Sequence, residues 1–457
     1  MGLTLIRKSP PGVRVESPHI ALVLAGGAVT GGAFKVGGLL ALDDFLVDRK
    51  ITDLDTYVGL SAGAFLAVTL AAGIPPEEMV KVLDGSSRRF DQLRPLDFYR
   101  PNFSEFMTRP LSFAYAVASF VPGVLLDAVR SVPDLAGALF PALRNFAADP
   151  TYANAEHVVE SWVDQLAPTR RLPALAALLP SGLFDNSGLE RWLSRNLARI
   201  DLPNDFPGFH AARGRGLYLT ACDLDSAERV VFGADECCDL SITEAVQAST
   251  ALPLFYRPPR VGGADYVDGG VRHTANIDVA IDKGADLIIC YNPFRPFNNR
   301  TEALRDAASD DRYLKDRGLP VVLNQVFRTL LHSRLILGLE HYARDERFQG
   351  DIVLIEPEET DADFFAVNPL AFWRRAESIR HGFESVHRTL SENLSELAPL
   401  LGDYGLALDP RTARRRAAQL RHRQGWDPAA AADAPDPGIR LVPTGERESK
   451  NKRRSNP

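Results

Sequence analysis

The sequence predicts an α/β protein with a mainly parallel sheet, because short apolar runs alternate with helix-like segments. Ile20–Leu24 is an apolar run that ends at glycine, which is typical of a strand buried on both faces. A one-face leucine pattern predicts a helix after it, and Tyr57–Leu60 and Ala62–Ala72 repeat the strand and the helix. Strand, helix, strand and helix within about 55 residues indicate βαβ units.

A long helical stretch interrupts this alternation between about residues 76 and 180, where prolines break the helix-like segments. The alternation then resumes, and Ser241 and Glu244 form a capping box that opens a short helix ending at Ser249. Four further apolar runs predict strands: Leu217–Ala221, Arg229–Phe232, Leu287–Cys290 and Ile352–Ile355. The chain therefore predicts an α/β core that contains a helical insertion.

The composition narrows the class of protein. Of the 457 residues, 45% are hydrophobic and 24% are charged, as in a soluble globular protein that can bury a core. These values exclude a wholly disordered chain, a collagen-like fibre and a polytopic membrane protein. The net charge of −7 offers nothing to attract nucleic acid, so no nucleic-acid partner is expected. The uncharged run 110–126 is short for a membrane span, and Pro122 interrupts it.

The four cysteines and the N-terminus indicate a cytoplasmic protein. Cys237 and Cys238 are adjacent and no Cys-x-x-Cys pair occurs, so neither a disulfide framework nor a cysteine metal site is expected. Residues 1–18 lack the apolar segment of a secretory signal. No cluster of metal ligands appears elsewhere, so we expect the protein to need neither a metal nor an organic cofactor.

The motif Gly59-Leu60-Ser61-Ala62-Gly63 places a serine between a predicted strand and a predicted helix. This G-x-S-x-G pattern is typical of a nucleophile elbow, because the flanking glycines let neighbouring backbone approach a strained turn. The turn also puts Ser61 at a helix N-terminus, where the helix dipole favours developing negative charge. We therefore expect Ser61 to be a nucleophile, and the alternative is a merely structural turn.

A glycine-rich loop follows the first strand and includes Gly26, Gly27, Ala28 and Val29. Such a loop presents several backbone N–H groups to an anion, either a phosphate or the oxyanion of an acyl-transfer intermediate. It lacks the third glycine and the correctly spaced acidic residue of a dinucleotide site, and it lacks the lysine of a P-loop. Beside a nucleophile elbow, an oxyanion hole is the better account, and plain tight packing is the alternative.

The third motif is Asp268-Gly269-Gly270, although an aspartate at a glycine turn is most often only a turn residue. If Ser61 is a nucleophile, some group must still accept its proton. Nine histidines occur, and His273 follows Asp268 closely, but none stands where an α/β-hydrolase places its histidine. The pattern therefore does not support a Ser-His-Asp triad, and it does not exclude one.

The glycine loop, Gly-Leu-Ser-Ala-Gly and Asp-Gly-Gly, in this order, resemble the motifs of the patatin-like phospholipases. Ala248–Pro253 is also similar to a segment of that family, and the resemblance covers about residues 20 to 295. It implies a three-layer α/β/α core and a Ser–Asp dyad in which Ser61 attacks an ester carbonyl and Asp268 is the general base. Residues 26–29 would form the oxyanion hole. The substrate would be a phospholipid or another acyl-ester lipid, reached by peripheral contact with a membrane.

The glycine loop departs from the family pattern, which has a third glycine and a basic residue. Ala28 stands for the glycine and Thr30 for the basic residue, and Lys35 cannot be assumed to replace that cation. Loss of one oxyanion donor would cost about 2.7–4 kcal/mol of barrier. Two alternatives to a Ser–Asp hydrolase therefore stay open. One is a weak or silent patatin-like fold that binds lipid or a protein partner, and the other is a Ser-His-Asp esterase or thioesterase.

Resemblance and composition together predict four regions: an N-terminal extension at 1–18, a catalytic domain at 19–300 with its insertion at about 76–180, an α/β extension at 301–405, and a disordered basic tail at 406–457. The tail is basic because 12 Lys and Arg against 5 Asp and Glu lie between Arg411 and Pro457. The amphipathic run Val321–Leu339 has no role that the sequence assigns. An acyl-chain groove or interfacial surface is one interpretation, and plain packing another, for Phe113, Tyr115, Phe120, Val124 and Leu125 of the insertion.

Overall fold

The computed structural model describes residues 2–115, 140–151, 178–300 and 313–422, with short pieces at 153–154, 157–158, 425–426 and 439–440. The chain forms two compact units. One is Pro101–Phe184, and the other combines Met1–Arg100 with Asp185–Pro457. The larger unit contains the main sheet and its helical layers.

The strands are β1 Leu3–Ile6, β2 Ile20–Leu24, β3 Thr56–Leu60, β4 Arg100–Pro101, β5 Gly182–Asp185, β6 Gly216–Asp223, β7 Arg229–Phe232, β8 Leu254–Tyr256, β9 Arg260–Val261, β10 Ala264–Asp268, β11 Leu287–Tyr291, β12 Asp351–Ile355, β13 Gly425–Trp426 and β14 Ile439–Arg440. The main sheet has the order β1-β12-β11-β2-β3-β6-β10-β9, and β7 also pairs with β6. Neighbours from β12 to β6 are parallel, and antiparallel pairs complete both ends. The predicted mainly parallel α/β sheet is confirmed.

The helices are α1 Ala28–Phe45, α2 Ala62–Ala71, α3 Pro76–Asp84, α4 Pro95–Phe98, α5 Ser187–Arg199, α6 Phe206–Arg213, α7 Ile242–Ser249, α8 Ile277–Asp282, α9 Leu319–Arg344, α10 Ala362–Ala366, α11 Arg375–Glu392, α12 Leu394–Asp403 and α13 Arg411–His422. They cover both faces of the sheet. Ile20, Leu22 and Leu24 of β2 pack with α1 and α2, whereas Ala21 and Val23 pack with α8 and α9. Burial on both faces explains the continuously apolar run and confirms the three-layer α/β/α arrangement. None of the described helices has the length and apolar character needed to cross a membrane.

Helices α1 and α11 cross at close range because both have glycine at the crossing. A side chain at Gly37 would collide with the carbonyl of Ile379, and one at Gly382 would collide with the carbonyl of Phe34. The Phe34 ring also packs on Phe364, with ring centroids 4.1 Å apart. The C-terminal part of the chain therefore holds the helix that follows the glycine loop.

The N-terminal segment and a strand from the C-terminal part of the chain join the same sheet. From the predicted N-terminal extension, β1 pairs antiparallel with β12, which in turn pairs in parallel with β11. The sequence pattern did not predict β1, because a four-residue edge strand has too few apolar positions to stand out. The boundaries of the first three predicted regions stay predictions.

The predicted disordered tail needs a correction at its start. Instead of disorder from residue 406, α13 forms a helix that buries Ala413, Ala417 and Leu420. Arg416 of this helix donates a hydrogen bond to Asp44 of α1 at 2.6 Å. Small alanines can pack closely even in an arginine-rich segment, which apolar periodicity does not reveal. Apart from β13 and β14, which pair antiparallel, residues 423–457 lie outside the described residues.

The smaller unit, Pro101–Phe184, is described in part. Residues 103–115 and 140–148 are helical, in agreement with the predicted helical insertion. Within this unit Glu105 accepts hydrogen bonds from both the N–H and the hydroxyl of Ser181. Of the insertion residues singled out above, Phe113 is half-buried and Tyr115 is exposed. Phe120, Val124 and Leu125 lie outside the described residues.

Candidate active site

Ser61 lies at the turn between β3 and α2, where the sequence predicts it, and its side chain is buried. Its backbone has a φ of 56° and a ψ of −132°, a conformation that residues other than glycine rarely adopt. Neighbouring backbone lies so close to this turn that the two flanking positions require glycine. A side chain at Gly59 would lie 2.5 Å from the carbonyl oxygen of Gly63, and one at Gly63 would collide with the carbonyl of Leu24. The turn therefore has the strained geometry of a nucleophile elbow.

The register of the sheet brings Asp268 to the level of this turn. Leu60, the residue before Ser61, pairs with Thr220 of β6. Asp268, at the end of β10, pairs with Ala221 on the opposite side of β6. Strand pairing thus places the serine and the carboxylate, which are far apart in the chain, on either side of one strand.

The carboxyl group of Asp268 is enclosed by protein. Its Oδ1 accepts a hydrogen bond from the N–H of Gly270 at 2.8 Å, whereas Oδ2 has no hydrogen-bond partner of regular geometry among the described residues. Burial raises the pKa of Asp268 to about 6. The nearby Ser61 hydroxyl opposes this rise most, followed by the Gly270 N–H and the Lys35 ammonium. Gly269 passes so close to Thr220 that a side chain there would lie 2.5 Å from its carbonyl oxygen.

The glycine loop lies directly against Ser61. A side chain at Gly26 would lie 3.2 Å from the Ser61 Cβ and 2.7 Å from a ring carbon of Phe294, so only glycine fits there. Helix α1 begins at Ala28, whose φ of 52° turns the chain from the loop into the helix. The N–H groups of Gly26, Gly27 and Ala28 donate to no group in the part of the chain that the structure describes. The loop therefore presents backbone donors beside the serine.

The amide of Val29 is placed differently from that of its neighbours. Its N–H and the N–H of Thr30 both donate to the carbonyl oxygen of Pro369, at 3.1 and 3.0 Å. The Pro369 carbonyl therefore occupies the start of α1 and takes the N–H that the sequence assigned to the oxyanion hole. Only the fold brings Pro369 to this position, so the local pattern around Val29 held no signal of it.

Lys35 places a cation beside the glycine loop, which has none of its own. Its fully buried side chain donates hydrogen bonds to the carbonyl oxygens of Ala25 and Gly26, the latter at 3.1 Å. Burial lowers the pKa of Lys35 to about 7, and the charge of Asp268 opposes this most. Sequence reasoning set this residue aside, although a signal existed: Lys35 is the only charged residue in the run 20–42.

The segment Ala248–Pro253 connects the turn at Ser61 with the turn at Asp268. The Ser249 hydroxyl, at the end of α7, accepts a hydrogen bond from the backbone N–H of Ser61 at 2.9 Å. The carbonyl of Ala251 accepts one from the N–H of Asp268 at 2.9 Å. This segment therefore holds both turns in place, a role that its sequence did not indicate.

An apolar cavity of about 1020 Å³, including its open mouth, adjoins Ser61. Ala62 of the elbow and Ala28 and Val29 of the glycine loop also contribute to its wall. Among the described residues, Arg375 is the only charged one in the lining. A cavity with this apolar lining suits an acyl chain. Its large apolar side chains include Phe65, Leu66, Met79, Phe98, Trp192 and Tyr256.

Neither a histidine nor a metal site accompanies the serine in the described residues. No histidine there hydrogen-bonds Ser61 or Asp268, and none lines the cavity. His273 is partly buried, and burial lowers its pKa together with the charge of Arg229. Within the same ranges, no group of three or more His, Cys, Asp or Glu side chains is arranged to hold a metal ion.

Comparison with solved structures shows low overall similarity. VipD from Legionella pneumophila is 18% identical over 89% of this chain and 75% of its own, with a TM-score of 0.33. ExoU of Pseudomonas aeruginosa, in complex with SpcU, is 20% identical over 92% of this chain and 71% of its own, with a TM-score of 0.25. Human GIVD cytosolic phospholipase A2, in complex with methyl gamma-linolenyl fluorophosphonate, is 10% identical over 87% of this chain and 60% of its own, with a TM-score of 0.29. At these TM-scores none of the three supports a conclusion about function.

A family model gives a stronger result, because it covers more than half of the chain. The model described as patatin-like phospholipase matches residues 22–281. This range includes the glycine loop, the elbow at Ser61, the segment Ala248–Pro253 and Asp268. The resemblance of the motifs is thereby confirmed over the region that forms the site. The chain belongs to the patatin-like phospholipase family.

Proposed function

We propose that this protein is a serine hydrolase that cleaves acyl esters of lipids, with Ser61 as nucleophile and Asp268 as general base. The observation that carries the proposal is a strained, buried serine beside an enclosed carboxylate at the wall of an apolar cavity. Membership of the family supports a lipid substrate. The substrate class is a phospholipid or another acyl-ester lipid, whose acyl chain occupies the cavity.

In the proposed reaction the Asp268 carboxylate accepts the hydroxyl proton of Ser61 as its Oγ attacks the ester carbonyl carbon. The tetrahedral intermediate collapses, the bond to the alcohol breaks, and Asp268 returns the proton to the leaving alcohol. Water then attacks the acyl-enzyme and gives a proton to Asp268, and the proton passes to Ser61 as the fatty acid leaves. A carboxyl group with a pKa of about 6 is more basic than an ordinary aspartate and is still ionised at neutral pH.

The backbone N–H groups of Gly26, Gly27 and Ala28 would hold the oxyanion of each intermediate. In a trans peptide the C=O and the N–H point in opposite directions. Because Lys35 holds the carbonyl of Gly26, the N–H of Gly27 in the same peptide points away from Lys35. Lys35 therefore acts as a positioning residue, which orients the loop without touching the substrate. Val29 is left out of this set, since its N–H donates to Pro369.

Labelling with a fluorophosphonate probe tests the proposal, because the probe reacts with activated serines. We expect the wild type to be labelled, Ser61→Ala to be unlabelled, and Asp268→Asn to react about 10²–10⁴-fold more slowly for lack of the base. Ser226→Ala, which changes an exposed serine between β6 and β7, is the matched control and should label like the wild type. Labelling that persists in Ser61→Ala would exclude Ser61 as the nucleophile.

A lipid-binding protein without turnover is the second candidate. The contact of Pro369 with the N–H of Val29 favours it, because this carbonyl takes a donor from the glycine loop. Loss of an oxyanion donor costs about 10²–10³ in rate. A protein that the probe does not label, and that binds a fluorescent phospholipid without releasing fatty acid, would support this candidate over the hydrolase.

A further inference from the structure

The outer face of α9, Leu319–Arg344, is apolar. Six of its side chains are between 39% and 68% exposed, and their spacing of i, i+4, i+7, i+8, i+11 and i+18 puts them on one side of the helix. They extend over about 27 Å of helix. We call these residues the apolar stripe: Leu319, Leu323, Val326, Phe327, Leu330 and Leu337.

The inner face of the same helix is polar over its first half, which reverses the pattern of an ordinary surface helix. Arg328 is buried and donates hydrogen bonds to the carbonyls of Pro293 and Arg295, both at 3.1 Å. Gln325 exchanges two hydrogen bonds with the backbone of Phe297. Burial lowers the pKa of Arg328 to about 10, so its guanidinium is still charged at neutral pH. Over this half of α9, polar groups therefore attach the helix to the protein, whereas Leu335 and Leu339 farther along are buried in the core.

Within the stretch of α9 that carries the stripe, the charged side chains are basic. No Asp or Glu occurs between Asp316 and Glu340, and this stretch contains the whole stripe. Arg334 is exposed on the same side of the helix, and Lys315 is exposed just before the helix begins. In a chain of net charge −7, the sign of the charge is locally reversed here. The face is therefore complementary to an apolar layer with anionic groups at its surface.

Two contacts connect α9 with the loops of the candidate active site. Pro293, whose carbonyl Arg328 holds, lies against the glycine loop: its ring is 3.1 Å from where a side chain at Gly27 would be. Arg334 donates a hydrogen bond at 2.6 Å to the carbonyl of Val271, in the turn after Asp-Gly-Gly. A surface that covers the stripe would therefore lie close to the turn after Asp-Gly-Gly, with α9 itself between it and the glycine loop.

We propose that α9 docks this protein on an anionic phospholipid surface, with the apolar stripe among the acyl chains and Arg334 and Lys315 at the level of the phosphates. The inference rests on the proposed function, because it describes how the enzyme reaches a lipid ester. Insertion of the six apolar side chains provides the affinity, and the basic side chains favour anionic headgroups. The inner face, polar in its first half and buried in the core at Leu335 and Leu339, keeps the helix attached to the protein while its outer face is in lipid.

Co-sedimentation with vesicles tests the docking separately from catalysis. The full chain carrying Ser61→Ala is used, so that no lipid is consumed, with vesicles of phosphatidylcholine alone or mixed with phosphatidylglycerol. Adding Val326→Glu and Leu330→Glu puts two carboxylates in the stripe and should weaken binding to the mixed vesicles about tenfold or more. Val47→Glu with Leu224→Glu is the matched control, because these side chains are each 50% exposed and lie on other elements.

Binding that the stripe variant loses and the control keeps, with a preference for the anionic vesicles, would support the proposal. Equal binding by both variants, or no binding by the protein with an intact stripe, would overturn it. Size-exclusion chromatography tests whether a second copy of the chain covers the stripe instead of lipid. A dimer that only the stripe variant converts to a monomer, without vesicle binding, would assign the face to a second copy and would also overturn the proposal. Thermal unfolding checks that both variants are folded. If the fluorophosphonate probe did not label Ser61, vesicle binding could still be measured. Failure of the proposed function and failure of the docking proposal are therefore distinguishable.

Discussion

At the scale of single residues, the proposed chemistry depends on two enclosed ionisable groups, Asp268 and Lys35. Burial raises the pKa of the carboxyl group to about 6 and lowers the pKa of the amine to about 7. Each group stabilises the charge of the other. Because the two pKa values approach each other from opposite sides, both groups are charged together mainly near neutral pH.

The pKa of Asp268 gives a prediction for the pH dependence of activity. Below pH 6, kcat/KM on a soluble short-chain ester should increase tenfold per pH unit, because only the ionised carboxylate accepts the Ser61 proton. Near pH 6 the profile should level off, and Asp268→Asn should abolish this limb along with most of the activity. A limb near the ordinary aspartate value of about 4 would contradict an enclosed general base.

Lys35→Met should move that acidic limb to higher pH, because the change removes a positive charge that lowers the pKa of Asp268. It should also lower kcat about tenfold or more with little effect on KM, since the glycine loop is less well oriented for the oxyanion. Rate profiles measured between pH 4 and pH 9 would show both effects.

Lys50→Met is the matched control for that variant. Lys50 also donates to two backbone carbonyls, those of Asp43 and Leu46 at the end of α1, but it lies away from Asp268. Its substitution should leave the acidic limb in place. If Lys35→Met lowered only the unfolding temperature and left the limb unchanged, Lys35 would have a structural role alone.

At the scale of elements, α1 carries the glycine loop and is held from several sides. Its glycine at 37 allows the close crossing with α11, and the Pro369 carbonyl accepts hydrogen bonds from its first turn. Its C-terminal half contacts α13 through the ion pair of Asp44 with Arg416. A helix held in this way keeps the backbone donors of the loop at a constant distance from Ser61, which is what oxyanion stabilisation requires.

The ion pair between α1 and α13 gives a prediction for stability. Arg416 and Asp44 are 2.6 Å apart, and both side chains are less than a tenth exposed. Arg416→Met should lower the free energy of unfolding by about 3 kcal/mol, because it leaves a buried carboxylate without its partner. Urea unfolding measures this loss.

Arg411→Met makes the same change at an exposed position of α13 and should leave the free energy of unfolding nearly unchanged. The double variant Asp44→Leu with Arg416→Met should recover much of the stability, since no buried charge is left. If Arg416→Met and Arg411→Met lowered the free energy of unfolding equally, the buried ion pair would contribute no more to stability than the exposed one.

At the scale of the whole molecule, one sheet joins segments from most of the described chain. The pairing of β3 with β6 and of β6 with β10 brings Ser61 and Asp268 to one level. The addition of β11 and β12 extends the parallel centre on the other side of β2. Residues beyond the matched family range, 22–281, therefore complete the sheet and support α1.

Several features of the candidate site could be predicted because they depend on neighbouring residues. The turn at Ser61 was predictable from two glycines, whereas Asp268 was singled out only because Asp-Gly-Gly resembles a motif of the family. The contact of Ser249 with the N–H of Ser61 and that of Pro369 with Val29 were not predictable. Each contact joins segments that are far apart in the chain. A single sequence does not show which distant segments come together in space.

By itself, the sequence determined six strands of the main sheet, the helices that follow the first two of them, and the turn at Ser61, since these depend on apolar spacing and on glycine within a few positions. It also predicted that Val321–Leu339 is amphipathic. Only the tertiary structure decided that Lys35 is buried beside the glycine loop and that α9 turns its apolar stripe outward. Periodicity tells which residues share a face of a helix, but distant segments decide which face they cover, because burial depends on what packs against it.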